Sequence, residues 1–195
     1  MDWIINMAVI AGISADLFAS MECQGALVAD VDKKHLYQVG AFMALWQTAA
    51  LFLGIVVARL LSHSRMTQEE RVAGAAVSAL IFFSLGISMI RKAVKKEPIQ
   101  EHLEQNLGFR RFVSMEAAES LFTIFAGIAV GFLRTGKTEV LLTAAVATFA
   151  VIIGGMYTGY HFGFANQTKV YVCGAVFFWL AAAKAAIGLL AYGTV

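Results

Sequence analysis

AGISADLFASMECQGA, residues 11–26, is mostly apolar, yet it carries an aspartate, a glutamate and a glutamine within nine positions. In water such groups need no explanation. Inside a bilayer each is costly and asks for a partner or a purpose. The reading of this stretch therefore turns on its solvent.

Composition decides the solvent. The chain of 195 residues is 59% hydrophobic and 14% charged, with a mean hydropathy of +0.73. Soluble domains are typically about 45–50% apolar and about 25% charged. A single proline and eight methionines suit long apolar helices. Asp2 and the lack of a basic n-region argue against a cleaved secretory leader, so the first apolar segment is expected to stay attached. Spanning a hydrocarbon core takes about 20 helical residues. Runs of that kind lie at 3–29, 36–61, 71–93, 112–133, 138–163 and 169–193. The expectation is an all-α integral membrane protein with six transmembrane helices. Only closed helical spans satisfy the backbone in lipid for sequences of this type.

The longest connection, VKKEPIQEHLEQNLGFRR at 94–111, is polar and holds the only proline. It divides the chain into a first three-helix unit, 1–93, and a second, 112–195. ADLFAS (15–20) aligns with ESLFTI (119–124), Gly54 with Gly159, and GAAV (74–77) with GAVF (174–177), in the same order at nearly constant offset. An odd number of helices per unit makes the second enter the membrane from the opposite side. That is an inverted-topology repeat, which in transporters places the substrate site near the midplane between the halves.

Basic residues set the orientation. Lys33, Lys34, Arg91, Lys92, Lys95, Lys96, Arg110, Arg111 and Lys169 flank the connections after the first, third and fifth spans, against Arg59, Arg65, Arg71, Arg134 and Lys137 on the other side. This places the 94–111 loop in the cytoplasm and both termini outside. The net charge of +2 is spread over helix flanks, so no nucleic-acid surface is expected. Cys23 and Cys173 both fall inside spans and make no secreted-type disulfide framework. They leave a thiol-based electron carrier as a minor alternative.

Two sets of polar residues lie deep. Asp16, Ser20 and Cys23 share one stripe of the first span, with Asp16 about 20 Å from Trp3 at 1.5 Å per residue. Glu116, Glu119, Ser120 and Thr123 share a face of the fourth. Asp16 and Glu119 fall at comparable depth. Two carboxylates with nearby hydroxyls suit a hard divalent cation, which prefers oxygen ligands; they equally suit a shared proton. Gln47 is a further oxygen donor or an interhelical bridge. Lys184, within AAAKAAIG, is a candidate charge partner for a carboxylate. Glu22 reads as structural, pairing with Lys33 or Lys34. Gly155, Gly159 and Gly163, Gly127 and Gly131, and Gly40, Ala44 and Thr48 form small-residue faces for close packing, with the second and fifth spans expected against each other.

At these residues the chain resembles the manganese efflux pump (MntP) family of the lysine-exporter-like superfamily. ISADLFASMECQGA (13–26) resembles that family's opening SxDAFxxSxxxG motif. GAFMALWQTAALFLG (40–54), LGISMI (85–90), GGMYTGYHFG (154–163) and CGAVFF (173–178) resemble segments of its later helices. The resemblance implies a six-helix, inverted-repeat exporter, with the family's first acidic position at Asp16. Its fourth-helix aspartate falls on Ser120, its second-helix glutamate on Gln47, and an arginine near the end of its third helix on Ser88.

The resulting expectation is a transporter, not an enzyme, that exports a divalent cation, manganese first, by alternating access. Asp16 and Glu119 are the anionic ligands; Ser20, Ser120, Thr123 and Gln47 are neutral ones; Glu116, in the first turn of the fourth span, is a further candidate ligand and Lys184 a charge partner. No cofactor is expected beyond the transported cation. The expected partners are the lipid bilayer, the cation and protons as coupling ion, with a homo-oligomer compatible. The expected location is a bacterial cytoplasmic membrane. The alternatives are a non-transporting scaffold or accessory subunit with the same fold, and an exporter of a small organic solute.

Overall fold

The computed structural model describes residues 2–27, 33–62, 68–95, 109–135, 138–163 and 166–193. Six helices account for nearly all of them: α1 (Asp2–Leu27), α2 (Lys33–Leu61), α3 (Gln68–Val94), α4 (Phe109–Phe132), α5 (Thr138–Phe162) and α6 (Gln167–Gly193). No described residue is in a strand. Each boundary falls within three residues of its expected position. The main departures are N-terminal. α2, α3 and α4 each begin a turn early, in KKH, QEE and FRR. Lys, Glu, Gln and Arg are good helix formers, so the helices continue beyond the apolar run. Residues 96–108, most of the expected 94–111 loop, lie outside the described residues.

Five helices are long and apolar enough to cross a membrane, over Trp3–Leu27, Leu36–Leu61, Arg71–Val94, Thr138–Phe162 and Gln167–Leu189. α4 is 24 residues long, about 36 Å at 1.5 Å per residue, but the apolar portion within its described residues is shorter, Glu119–Phe132. Large apolar side chains, among them Leu45, Leu60, Leu80, Leu142 and Phe162, are exposed around the bundle. In water such a surface would drive association; against lipid it is the outer skin of a multi-pass membrane protein.

The packing has an internal order. α1 lies against α5 and α6, α4 against α2 and α3, α3 against α6, and α2 against α5, while α1 and α4 barely meet. Exchanging α1, α2, α3 for α4, α5, α6 maps this set of neighbours onto itself. The closest approaches obey the same exchange. A Cβ on Gly159 or Gly25 of one crossing would sit 2.0 Å from the carbonyl oxygen of Glu22 or 2.2 Å from that of Met156. In the other crossing, Gly54 and Gly127 stand equally close to the carbonyls of Ile124 and Leu51. Small residues allow backbones to touch where lipid gives helices little hydrophobic reason to associate. The expected pairing of the glycine faces of the second and fifth spans is therefore corrected. Gly155 and Gly159 pack on α1, and Gly127 and Gly131 on α2. α2 and α5 meet through side chains instead, with Phe149 and Ile152 over Gly40. Gly163 meets no neighbour; it sits at φ +63°, and its N–H bonds the Gly159 carbonyl to close α5.

The largest core cluster joins α1, α2, α3, α4, α5 and α6 around fully buried Phe82 and Phe178. Phe178 occupies the space left by Gly12, and its ring meets Phe122 edge-on at 5.3 Å. Gly159→Leu and Gly127→Leu should each destabilise the fold by more than the roughly 1–3 kcal/mol typical of overpacking, since backbone must move. Gly154→Ala, with only a Phe18 ring atom at 3.8 Å, should be tolerated. Thermal unfolding of detergent-solubilised protein separates the three.

Candidate functional site

Asp16 is 2% exposed in the middle of α1. Burial of a bare carboxylate at such depth is unfavourable unless a charge meets it. The charge comes from Lys92, whose Nζ lies 2.8 Å from both Asp16 oxygens. The Lys92 side chain is 35% exposed against 3% for Asp16. Its ammonium also stands 5.2 Å from the Phe122 ring centroid and 5.9 Å from that of Tyr171, within cation–π range. Aromatic faces of α4 and α6 thus close round the ion pair.

Lys92 occupies the last turn of α3, beside exposed Arg91 and Lys95. There it reads as one more flanking cation. Two features turn it inward. It continues the stripe Ser78, Phe82, Leu85, Met89, whose members are all buried. Helical side chains also lean toward the N-terminus of their own helix, which for Lys92 is toward the membrane centre. Lys184 was the expected charge partner. In the structure it is half-buried on α6 and forms no ion pair among the described residues, whereas Lys92 meets Asp16.

One turn beyond Asp16, the Ser20 hydroxyl donates to Glu119 Oε1. Glu119 is itself 7% exposed. The Lys92 ammonium lies within electrostatic reach of this second carboxylate too. Asp16, Ser20 and Glu119, which sequence reasoning singled out, therefore come together, and Lys92 and Tyr171 complete the cluster. Gln47 and Thr123 form a separate pair, with Gln47 Nε2 donating to Thr123 Oγ1 at 2.6 Å. Both border a cavity of about 10 Å³ together with Ser14, Thr48 and Thr148, room for about one water. The Gln47 carbonyl oxygen is buried there without a hydrogen-bond partner.

The other candidates stand apart. The Ser120 hydroxyl turns back to the Ala117 carbonyl of its own helix, at 2.8 Å. Glu116 lies in α4, but its side chain is outside the described residues. Glu22 is fully buried and accepts a bond from the Asn166 N–H, at 3.2 Å, just before α6 begins. A carboxylate there meets unsatisfied N–H groups and the positive helix end. Cys23 and Cys173 are not joined in a disulfide, and Cys173 is exposed. No group of three or more His, Cys, Asp or Glu converges among the described residues. A cation here would take two carboxylates plus neutral oxygens.

The ion pair can be tested by a double-mutant cycle. Lys92→Met should cost about 3 kcal/mol, the lower end for breaking a buried pair, because Lys92 is partly exposed. Asp16→Asn in the same background should return most of that loss. Unfolding midpoints of the four proteins measure the coupling.

Comparison with known proteins agrees with this architecture. Residues 30–185 match the family described as putative manganese efflux pump. A putative manganese efflux pump MntP of Mannheimia succiniciproducens is 22% identical over 165 residues, covering 85% of each chain. Its counterpart in Corynebacterium glutamicum is 25% identical over 158 residues, covering 78% of this chain and 79% of the relative. No solved structure gives a significant match. With four-fifths of its length matched, from the second half of the first connection into α6, this chain belongs to the MntP family.

Proposed function

We propose that the protein exports manganese, or a closely similar divalent cation, by alternating access, with Asp16 and Glu119 as the anionic ligands. The observation that carries this reading is a pair of buried carboxylates, Asp16 on α1 beside Lys92 and Glu119 on α4 bonded by Ser20 one turn along α1, in a chain of this family. A hard divalent cation favours such oxygen donors. Ser20 already links the two helices at this point and offers a neutral oxygen. Gln47 and Thr123 lie beyond, with a free carbonyl oxygen facing a small cavity. They form a second oxygen pair through which the cation passes. Ser120 has no part, because its hydroxyl is committed to its own helix. A proton entering on release discharges Glu119, which makes the proton the coupling ion.

The exchangeable pattern of helix neighbours supports an inverted repeat of 1–93 and 112–195 across the 94–111 loop. The site then falls between the repeats. Setting Lys92 aside as a core residue leaves the positive-inside bias in the same direction, with eight flanking cations against five. This favours the 94–111 loop in the cytoplasm and both termini outside, and the bacterial relatives favour a bacterial cytoplasmic membrane.

The test is cell-associated metal in cells lacking their own manganese exporter. Wild type should lower manganese content and restore growth in excess manganese. Asp16→Asn and Glu119→Gln, at normal membrane levels, should each reduce the efflux rate by a factor of about ten or more, as loss of a charged ligand removes well over 1.4 kcal/mol of cation binding. Ser120→Ala should export like wild type. If wild type changes no metal among manganese, zinc, cadmium, cobalt and iron, the reading as an exporter of manganese or a closely similar cation fails.

A further inference from the structure

Lys92 does something no cation ligand can do: it occupies the place of the cargo. Its Nζ is equidistant from the two Asp16 oxygens, at 2.8 Å from each. That is the point where a divalent cation bound by both oxygens of one carboxylate would sit. Two cations cannot share it, since at such separation in a low-dielectric interior their repulsion far exceeds thermal energy. Cation binding at Asp16 and the Lys92 ion pair are therefore mutually exclusive.

The geometry also provides a way out for the ammonium. Asp16 is fixed in mid-helix and 3% exposed, but Lys92 is 35% exposed and lies two residues before the end of α3. Its four-carbon stem can carry the charge either inward to the carboxylate or outward to the headgroup level. The rings of Phe122 and Tyr171 hold it in the inward position.

We infer that Lys92 is a tethered counter-cation: it neutralises Asp16 whenever the site is empty, and the divalent cargo displaces it. This deepens the export reading and rests on it. The physical need is the return half of the cycle. An exporter that has released its cargo must reverse its orientation empty, and an uncompensated carboxylate in the core is costly. With Lys92 inward, the empty carrier returns with Asp16 paired. With cargo bound, the ammonium is outward and the cation supplies the positive charge. No second ion from solution is then required at Asp16 during the return.

The consequence for binding is competition. If Lys92 occupies the site for nine-tenths of the time, apparent cation affinity is lowered about tenfold. The experiment uses the full chain, purified and reconstituted in liposomes, with manganese as the probe. Three quantities are measured for wild type, Lys92→Gln and Lys92→Arg: manganese affinity, net efflux into manganese-free medium, and exchange of radioactive for unlabelled manganese across the membrane. Exchange does not require the empty carrier to return. Lys92→Gln should bind manganese about tenfold more tightly, keep exchange, and lose net efflux by about tenfold. Lys92→Arg should restore net efflux in part. The inference is overturned if Lys92→Gln binds manganese no more tightly, or if exchange and net efflux fall together.

A measurement on wild type covers the case in which Lys92→Gln does not fold. Reductive methylation of Lys92, read by mass spectrometry, should rise when manganese saturates the protein, because the amine has left Asp16. Unchanged or reduced labelling overturns the inference. Absence of manganese movement by wild type in both modes overturns the export reading itself; wild-type transport with symmetric losses in Lys92→Gln removes only the tethered counter-cation.

Discussion

The whole interior is arranged around one constraint: hydrocarbon cannot solvate a charge. Asp16 sits where water does not reach, and an ammonium, a serine bridge and two aromatic faces are assembled about it from α3, α1, α4 and α6. The cluster thereby joins four of the six helices at one point. An apolar residue at position 16 would pack as well and would remove any reason for Lys92 to lie inward. The cost of the carboxylate is thus hard to understand as a device for stability, since buried ion pairs seldom outperform apolar packing. In the proposed function that cost is met because the carboxylate binds the cargo.

Much of this was legible in the sequence, and for a physical reason. Long apolar runs have one solution in lipid, so helix number and bounds follow from hydropathy, and Asp16 and Glu119 stand out because their surroundings cannot solvate them. Lys92 was not legible in the same way. It lies between Arg91 and Lys95, where flanking cations are ordinary, and its role depends on a helical phase that only the partner helices reveal. Lys184 gave the opposite signal: it is deep in sequence, but it lies about 20 Å along α6 from Tyr171, which borders the ion pair. Glu22 likewise looked like a partner for nearby lysines, whereas its carboxylate is placed by the fold at the start of α6. Glycine faces announced close packing but not the identity of the partner helix.

The departures from the MntP pattern also acquire a physical reading. The resemblance puts an arginine at the position of Ser88, and Lys92 stands one helical turn further on, hence on the same face. A shorter cation at a later position still reaches the carboxylate. Where the resemblance puts an aspartate at the position of Ser120, the adjoining Glu119 bonds α1 while the Ser120 hydroxyl stays on its own helix.

The two backbone-to-backbone crossings set how the molecule can bend. α1 is locked to α5, and α2 to α4, by contacts that leave no room for a methyl group. Each pair therefore travels as a single beam, and each beam combines one helix from either half of the chain. Between the beams lie the sparse meeting of α1 with α4 and the side-chain-filled boundary of α2 with α5. Ser20 and Glu119 face each other across that boundary, one on each beam. In the proposed export cycle, a hinge that parts the beams would pull the two carboxylates away from each other, so the grip on a doubly charged guest would slacken by the same movement that opens its way out.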